Sequence, residues 1–219
     1  PITIGTGPRA HKIGGETVLF RHEKTFFNKP AISVLITDSQ SDAEQDERIK
    51  RFKEIEFERV GLKLRADLLA LKSTSKDKGR FEALVKKASG ATDASFILMS
   101  DDAEVLKAGL KASAERKPLI YAATSETADP LSALAKEFSC PLAVRGKGDG
   151  LEGLAELTQK LQAKGIKDIV LDTGTRNLKR ALEEQVIIRR LAIQKKFRPL
   201  GFPTITFPCE MTDDPMKEA

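Results

Sequence analysis

Residues 96–122, FILMSDDAEVLKAGLKASAERKPLIYA, hold one complete structural unit. Phe96 to Met99 is a short apolar run of strand length, and Ser100-Asp101-Asp102 supplies the oxygen side chains that cap a helix N-terminus. A helix to about Ala114 follows, and Leu119 to Ala122 is apolar again. A strand, a capped helix and a second strand in one direction make a βαβ unit, whose strands lie parallel in a sheet covered by helices.

The same texture extends both ways. Upstream, Ala31 to Thr37 reads as a strand, Asp42 to Glu58 as a helix with Ile49, Phe52 and Ile55 on one face, and a second strand lies within Val60 to Ala70. A helix over Lys76 to Ser89 follows, stopped by Gly90. Downstream, Asp129-Pro130 opens a helix with a cap and a first-turn proline, and Leu142 to Val144 is a strand. Leu151 to Lys164 is a helix ended by Gly165, Ile169 to Leu171 a strand, Asn177 to Lys196 a long helix, and Thr204 to Phe207 a seventh strand. Seven units spaced by roughly 25–35 residues fit a (β/α)8 TIM-type barrel of about 250 residues better than a doubly wound sheet of five or six strands. The count stops one strand short, with Met211 to Ala219 opening a further helix, so the barrel is expected to be incomplete at its C-terminal end. Residues 1–30 carry Gly5, Gly7, Pro8, Gly14, Gly15 and Pro30 between extended pieces at Ile2 to Ile4 and Thr17 to Phe20. They read as a hairpin-like leader packed on a barrel spanning 31–219.

Composition narrows the class. Across 219 residues, 40% hydrophobic and 32% charged describe an ordinary folded domain. The 37 basic and 32 acidic residues give a net charge of +5; they are spread along the chain, without the basic arm expected of a nucleic-acid binder. Arg189-Arg190 and Lys195-Lys196-Phe197-Arg198 fall late in a predicted helix, where cations complement the dipole. No run approaches the roughly 18 apolar residues of a membrane span and nothing resembles a signal peptide. Cys140 and Cys209 form neither a disulfide framework nor a metal spacing. A cytoplasmic setting is expected.

In such a barrel, chemistry collects at the C-terminal ends of the strands. Asp38-Ser39, Asp101-Asp102, Ala123-Thr124-Ser125, Arg145-Gly146-Lys147, Asp172-Thr173-Gly174 and Cys209-Glu210 occupy those ends. Asp172 and Thr175 either orient a ligand or satisfy backbone donors at the next helix. Arg145 to Gly150, RGKGDG, is glycine-rich and basic but lacks both nucleotide-binding patterns, so a plain turn is the ordinary reading. Asp101-Asp102 is better read as a cap than as a catalytic pair, and Cys209 has no histidine near it. His11 and His22 have no metal-binding company. The residues therefore give a scaffold and a rim, without a nucleophile, base and orienting group together.

Read as phrases, Pro1-Ile2-Thr3-Ile4-Gly5-Thr6-Gly7, the stretch Glu16 to Phe26 (ETVLFRHEKTF), Asp172-Thr173-Gly174 and Phe202-Pro203-Thr204-Ile205 resemble the large (gamma) subunit of the corrinoid iron-sulfur protein of the acetyl-CoA pathway, over essentially the full chain. The resemblance implies a central barrel between an iron-sulfur domain and a cobalamin-binding domain. The intact protein would then carry a methyl group on cobalt, accepting it from a methyltetrahydrofolate methyltransferase and delivering it to acetyl-CoA synthase, with a small barrel subunit as heterodimer partner. Corrinoid and cluster would have their main ligands outside this chain, and Cys140 and Cys209 do not form a cluster motif. What remains is a scaffold whose rim residues Asp172, Thr173, Thr124 and Glu210 would make polar contacts to the corrinoid or the partner. The competing reading is a pterin-dependent methyltransferase on the same barrel, with Asp38, Asp101, Asp172 and Asn177 as pterin ligands.

Overall fold

The computed structural model describes residues 1–20, 22 and 27–218, the side chains of residues 215 and 218 apart; part of the leader phrase, residues 21 and 23–26, lies outside the described residues. The leader supplies β1 (Ile2–Ile4) and β2 (His11–Ile13), an antiparallel pair. Then come β3 (Ser33–Thr37), α1 (Asp42–Glu54), β4 (Glu56–Arg59), β5 (Leu62–Arg65), β6 (Leu68–Lys72), α2 (Lys78–Ala91), β7 (Ser95–Met99), α3 (Ala103–Ser113), β8 (Leu119–Ala123), α4 (Ala128–Glu137), β9 (Leu142–Arg145), α5 (Glu152–Ala163), β10 (Ile169–Asp172), α6 (Leu178–Arg189) and α7 (Pro215–Glu218).

Six strands form one parallel sheet in the order β3-β6-β7-β8-β9-β10, which is also their order along the chain. A sheet that never reverses direction sends every crossover helix to the same face, because such crossovers share one hand. That outer face carries Leu69, Leu71, Phe96, Leu98, Ile120 and Leu142, packed on Phe81, Leu84, Leu106, Leu110, Leu131 and Leu161 of the helices. The alternate residues, Leu68, Ala70, Ile97, Met99, Leu119, Tyr121, Ala143 and Val170, form a second core on the concave side, with no α-helix over it among the described residues. A period-two strand with both faces apolar and helices on one of them is a barrel wall. The fold is the expected (β/α)8-type barrel, incomplete after its sixth strand.

Local chemistry sets the helix starts. Ser41 and Glu44 form a capping box on α1, and Asp77, Asp102 and Asn177 accept backbone N–H bonds at the starts of α2, α3 and α6. Gly109 lets α3 close onto α2: a Cβ there would lie 2.6 Å from the Phe81 ring.

Several boundaries differ from the sequence reading. The first helix ends at Glu54, and the residues assigned to its last turn and to the following stretch form the hairpin β4–β5. Gly90 sits inside α2, which runs to Ala91. Helix α4 starts one residue before Asp129, whose carboxylate is paired with Lys164 and Lys160 instead of capping. The seventh strand is reduced to a bridge at Thr204: Leu171 N–H donates to the Pro203 carbonyl and Ile205 N–H to the Leu171 carbonyl, both at 2.8 Å. Pro203 and Pro208 bracket that segment and remove ladder donors.

The leader closes the N-terminal end of the barrel. Ile2 and Ile4 are buried in the concave core, Gly5 N–H donates to Lys117 O, and Ser95 Oγ donates to Arg9 O. Thr17 to Phe20 is not the second hairpin strand, since His11–Ile13 takes that place. The Leu19 and Val18 carbonyls instead accept from Arg189, which binds the leader as well as ending a helix.

Candidate functional site

At the C-terminal ends of the strands the inward residues become polar. The period-two alternation that buries Ala70, Ala143 and Val170 next delivers Lys72, Arg145 and Asp172 to the mouth, beside the Tyr121 hydroxyl. Asp172 is 2% exposed and fully engaged. Its carboxylate accepts from the Tyr121 hydroxyl, from Gly174 N–H at 2.8 Å, and from both terminal nitrogens of Arg176 at 3.2 and 3.0 Å. This two-pronged ion pair is the strong geometry for arginine and carboxylate.

Arg176 carries the network outward. Its Nε donates to Glu210 at 2.7 Å, Lys72 Nζ donates to the other Glu210 oxygen at 3.0 Å, and the guanidinium lies 4.6 Å from the centre of the Phe207 ring. Phe207 stands edge-on to Tyr121 at 5.1 Å, and Arg145 reaches over Tyr121 while donating to Asp101 at 3.2 Å. Glu210 arrives on a 3-10 turn, Pro208–Glu210, that folds the post-bridge segment back across the mouth.

Electrostatics follow from these contacts. Burial, the Asp172 charge and the bond to Asp172 push the Tyr121 hydroxyl well above the ordinary phenol range, so it stays a donor. Burial alone would loosen the proton on Arg176, but Asp172 and Glu210 outweigh it and hold the guanidinium charged. Burial likewise works to raise the Glu210 carboxyl, yet the bonds from Lys72 and Arg176 keep it below the usual range. Three cations, Lys72, Arg145 and Arg176, thus balance Asp101, Asp172 and Glu210. The cleft between them is about 70 Å³, room for a water or two and far below the roughly 300 Å³ at which small-molecule pockets begin.

The other sequence candidates go elsewhere. Thr173 is buried beside Asp172, its Oγ1 accepting from Thr175 N–H and its carbonyl from Gly148 N–H. Thr124 is outside the ring, in a turn with Thr127 ahead of α4. Asn177 caps α6. Asp38 is a clamp: burial would raise its carboxyl, but bonds from Ser75, Thr74 and Ser73 lower it and tie the first rim loop to the second. The RGKGDG loop is an interlock. A Cβ on Gly174 would lie 2.1 Å from Gly146 O, and one on Gly146 would lie 2.8 Å from Thr173 O; Gly146 and Gly148 serve close approach of two backbones.

Cys140 is buried, which lifts its thiol to about 11, and Cys209 is exposed. Among the described residues no group of three or more His, Cys, Asp or Glu could hold a metal ion. His11 bonds the Lys29 carbonyl and His22 stacks on Phe20. Sequence reading missed Lys72, Tyr121 and Arg176 as ring members. The signal for Lys72 and Tyr121 was strand parity, and for Arg176 the four-residue spacing from Asp172.

Comparison with known proteins gives three findings. A family model described as CO dehydrogenase/acetyl-CoA synthase delta subunit matches residues 1–214. The corrinoid/iron-sulfur protein large subunit of Moorella thermoacetica is 43% identical over 93% of this chain and 45% of its own length, and the acetyl-CoA decarbonylase/synthase complex subunit gamma 2 of Methanosarcina thermophila is 39% identical over 94% and 44%. The chain therefore spans a little under half the length of these relatives. Among solved structures, the TIM-barrel dihydropteroate synthases of Xanthomonas albilineans and Thermus thermophilus superpose with a TM-score of 0.53 over 80% of this chain and 71% and 68% of theirs, at 14% and 18% identity; this is a likeness of fold.

Proposed function

The chain belongs to the CO dehydrogenase/acetyl-CoA synthase delta subunit family, and from that membership we propose that it is the barrel scaffold of a corrinoid iron-sulfur methyl carrier. The intact protein accepts a methyl group from methyltetrahydrofolate through a methyltransferase and delivers it to acetyl-CoA synthase. Residues 31–219 form the barrel, residues 1–30 are a leader packed on it, and a small barrel subunit completes a heterodimer in the cytoplasm.

The observation that carries this reading is the self-satisfied mouth. Asp172 has all its acceptor directions used by Tyr121, Gly174 and Arg176, and Glu210 is held by Lys72 and Arg176. A general base or a pterin ligand needs free lone pairs within reach of a substrate; a wall needs a rigid polar surface that stays put.

Neither metal group is housed here. Two free cysteines, one buried and one exposed, fall short of the four thiolates of a cluster, and the cleft is too small for a corrin ring. The rim fits peripheral contact with a corrinoid, whose cobalt, when bound in the intact protein, supplies the site of methyl attachment. Lys72, Arg145 and the outer edge of Arg176 would donate to its amide oxygens, with Glu210 holding Lys72 and Arg176 in place. Asp172 positions Arg176 from below, Thr173 ties the loops behind it through Thr175 and Gly148, and Thr124 would reach the corrinoid or the partner subunit from its own loop.

The test is an anaerobic visible spectrum with cobalt and iron analysis on the intact gene product and the subunit that accompanies it. Near-stoichiometric cobalt, a corrinoid spectrum and cluster iron are expected. Absence of both metals in a protein that binds labelled methyltetrahydrofolate would overturn the carrier in favour of a pterin-dependent methyltransferase. Against that second reading, Asp38 and Asp172 are buried and tied up within the chain and Asn177 caps α6, which leaves Asp101, mostly exposed and bonded on one oxygen by Arg145, as the single candidate of the four with acceptor capacity to spare.

A further inference from the structure

The turn Pro208–Glu210 reaches the mouth from beyond the last bridge of the sheet. Past Ile205, whose N–H donates to Leu171 O, the backbone bonds among the described residues stay inside the turn: Glu210 N–H donates to Phe207 O and Met211 N–H to Pro208 O. The segment is seated by side chains. Phe207, 7% exposed, enters the concave core against Tyr121, and Glu210 sets one carboxylate oxygen 3.0 Å from Lys72 Nζ and the other 2.7 Å from Arg176 Nε.

The two cations owe their places to other contacts. Lys72 closes β6, which is paired on both edges, with Thr37 of β3 and Met99 of β7. Arg176 is gripped from below by the buried Asp172. A carboxylate that bridges two such pre-placed cations, one oxygen on each, sits as a bound carboxylate ligand would sit. Charge adds a second reason. Without Glu210 the ring keeps Lys72, Arg145 and Arg176 against Asp101 and Asp172, an excess of one positive charge in a half-buried cleft. An uncompensated charge withdrawn from water is costly, so that cleft selects an anion.

We propose that the mouth is a binding site for a small carboxylate and that the chain keeps it filled with its own Glu210, a tethered stand-in for the ligand. The short tether makes the occupant intramolecular and holds it at a high effective concentration. Free anions are thereby shut out and the rim stays neutral. A neutral rim suits the amide groups of a corrinoid; that consequence rests on the scaffold reading above, whereas the carboxylate site rests on the placement of Lys72 and Arg176.

The experiment is chemical rescue in the intact protein. Glu210→Ala empties the site, acetate binding is read by saturation transfer to its methyl protons, and barrel melting is compared in acetate and in chloride at equal ionic strength. The variant is expected to bind acetate at least about tenfold more tightly than the parent and to regain melting temperature along a saturating curve, beyond any salt effect common to both. Adding Lys72→Met should raise the half-saturating acetate concentration at least about fivefold. Equal recovery in chloride would reduce the contact to a screened surface pair, and no acetate binding, or the same binding in the parent, would mean that Glu210 fills no site; each result overturns the proposal. Should Glu210→Ala not fold, Glu210→Gln decides: it keeps the shape, drops the charge and should gain acetate binding in the same direction, since no backbone bond to the sheet holds the turn down. A cobalt-free protein whose Glu210→Ala variant still gains acetate refutes the carrier reading alone, and a cobalt-loaded protein whose variant gains none refutes the carboxylate site alone.

Discussion

Asp172 shows how one side chain holds the mouth together. Its carboxylate is buried under a tyrosine, a backbone amide and a two-pronged arginine, so replacing it by asparagine takes the charged acceptor from Tyr121 and leaves Arg176 with Glu210 alone. Breaking a buried ion pair from one side costs about 3–5 kcal/mol, and partial exposure of Arg176 reduces this to about 2–3 kcal/mol for Asp172→Asn, readable from urea midpoints. Equal stability of variant and parent would show that the pair is solvent-screened. Asp38 gives a pH effect of definite sign. Its folded carboxyl is depressed below the unfolded value of about 3.9, so its contribution is present above that pH and is lost as the pH falls through the folded value. Asp38→Asn should therefore be less stable at pH 7, with a flatter stability profile below about pH 4. At this scale, strand-end position sufficed to pick Asp172 and Glu210. Lys72 and Arg176 escaped because a ring across the mouth joins residues 138 and 34 positions apart, a proximity that only the curved sheet and the fold-back of the Pro208–Glu210 turn create.

The elements were legible wherever one local rule acted alone. Asp102 caps its helix as the sequence implies, the helix beginning at Asn177 starts where it was read although the capping role of Asn177 itself was not, and the parity of residues 96–99 fixes which side chains enter the concave core. The hairpin at 56–65 was not legible. Ile55 continues the apolar spacing of α1, and Val60-Gly61 is not a turn pair that propensity favours. The bridge at Thr204 fell short of a strand because two prolines flank it. The glycine interlock is an element-scale fact of another kind: Gly146, Gly148 and Gly174 let the loops after β9 and β10 touch backbone to backbone. Gly174 has φ +81° and no room for a Cβ. Gly174→Ala combines a backbone penalty with a collision against Gly146 O, an expected loss of about 2–4 kcal/mol in a denaturation curve. Because the loop following Asp172 would have to shift, the Tyr121 bond should weaken with it, visible as a change in tyrosine fluorescence. A stable variant with parental fluorescence would mean that the loops part without consequence.

At the scale of the molecule, two ends of one barrel are tied through a single concave core. Ile4 of the leader, at the N-terminal end, and Tyr121, at the mouth, belong to the same buried cluster, linked through Ile97, Leu119 and Val170. The chain has one tyrosine and no tryptophan, so intrinsic fluorescence reports the mouth alone, while circular dichroism reports the whole helical ring. Ile4 is 2% exposed, and Ile4→Ala removes a core side chain worth about 2–4 kcal/mol. If leader and barrel unfold as one cooperative unit, that loss must move the fluorescence and dichroism transitions together, by the same denaturant increment, although the substitution lies at the far end from the fluorophore. A leader that folds by itself predicts otherwise: Tyr121 would keep its parental midpoint. The topology argues for the first result. Among the described residues no α-helix covers Leu68, Leu119 and their neighbours at the N-terminal end, and with β1 removed water would enter the concave side at the layer directly beneath the residues that hold the rim.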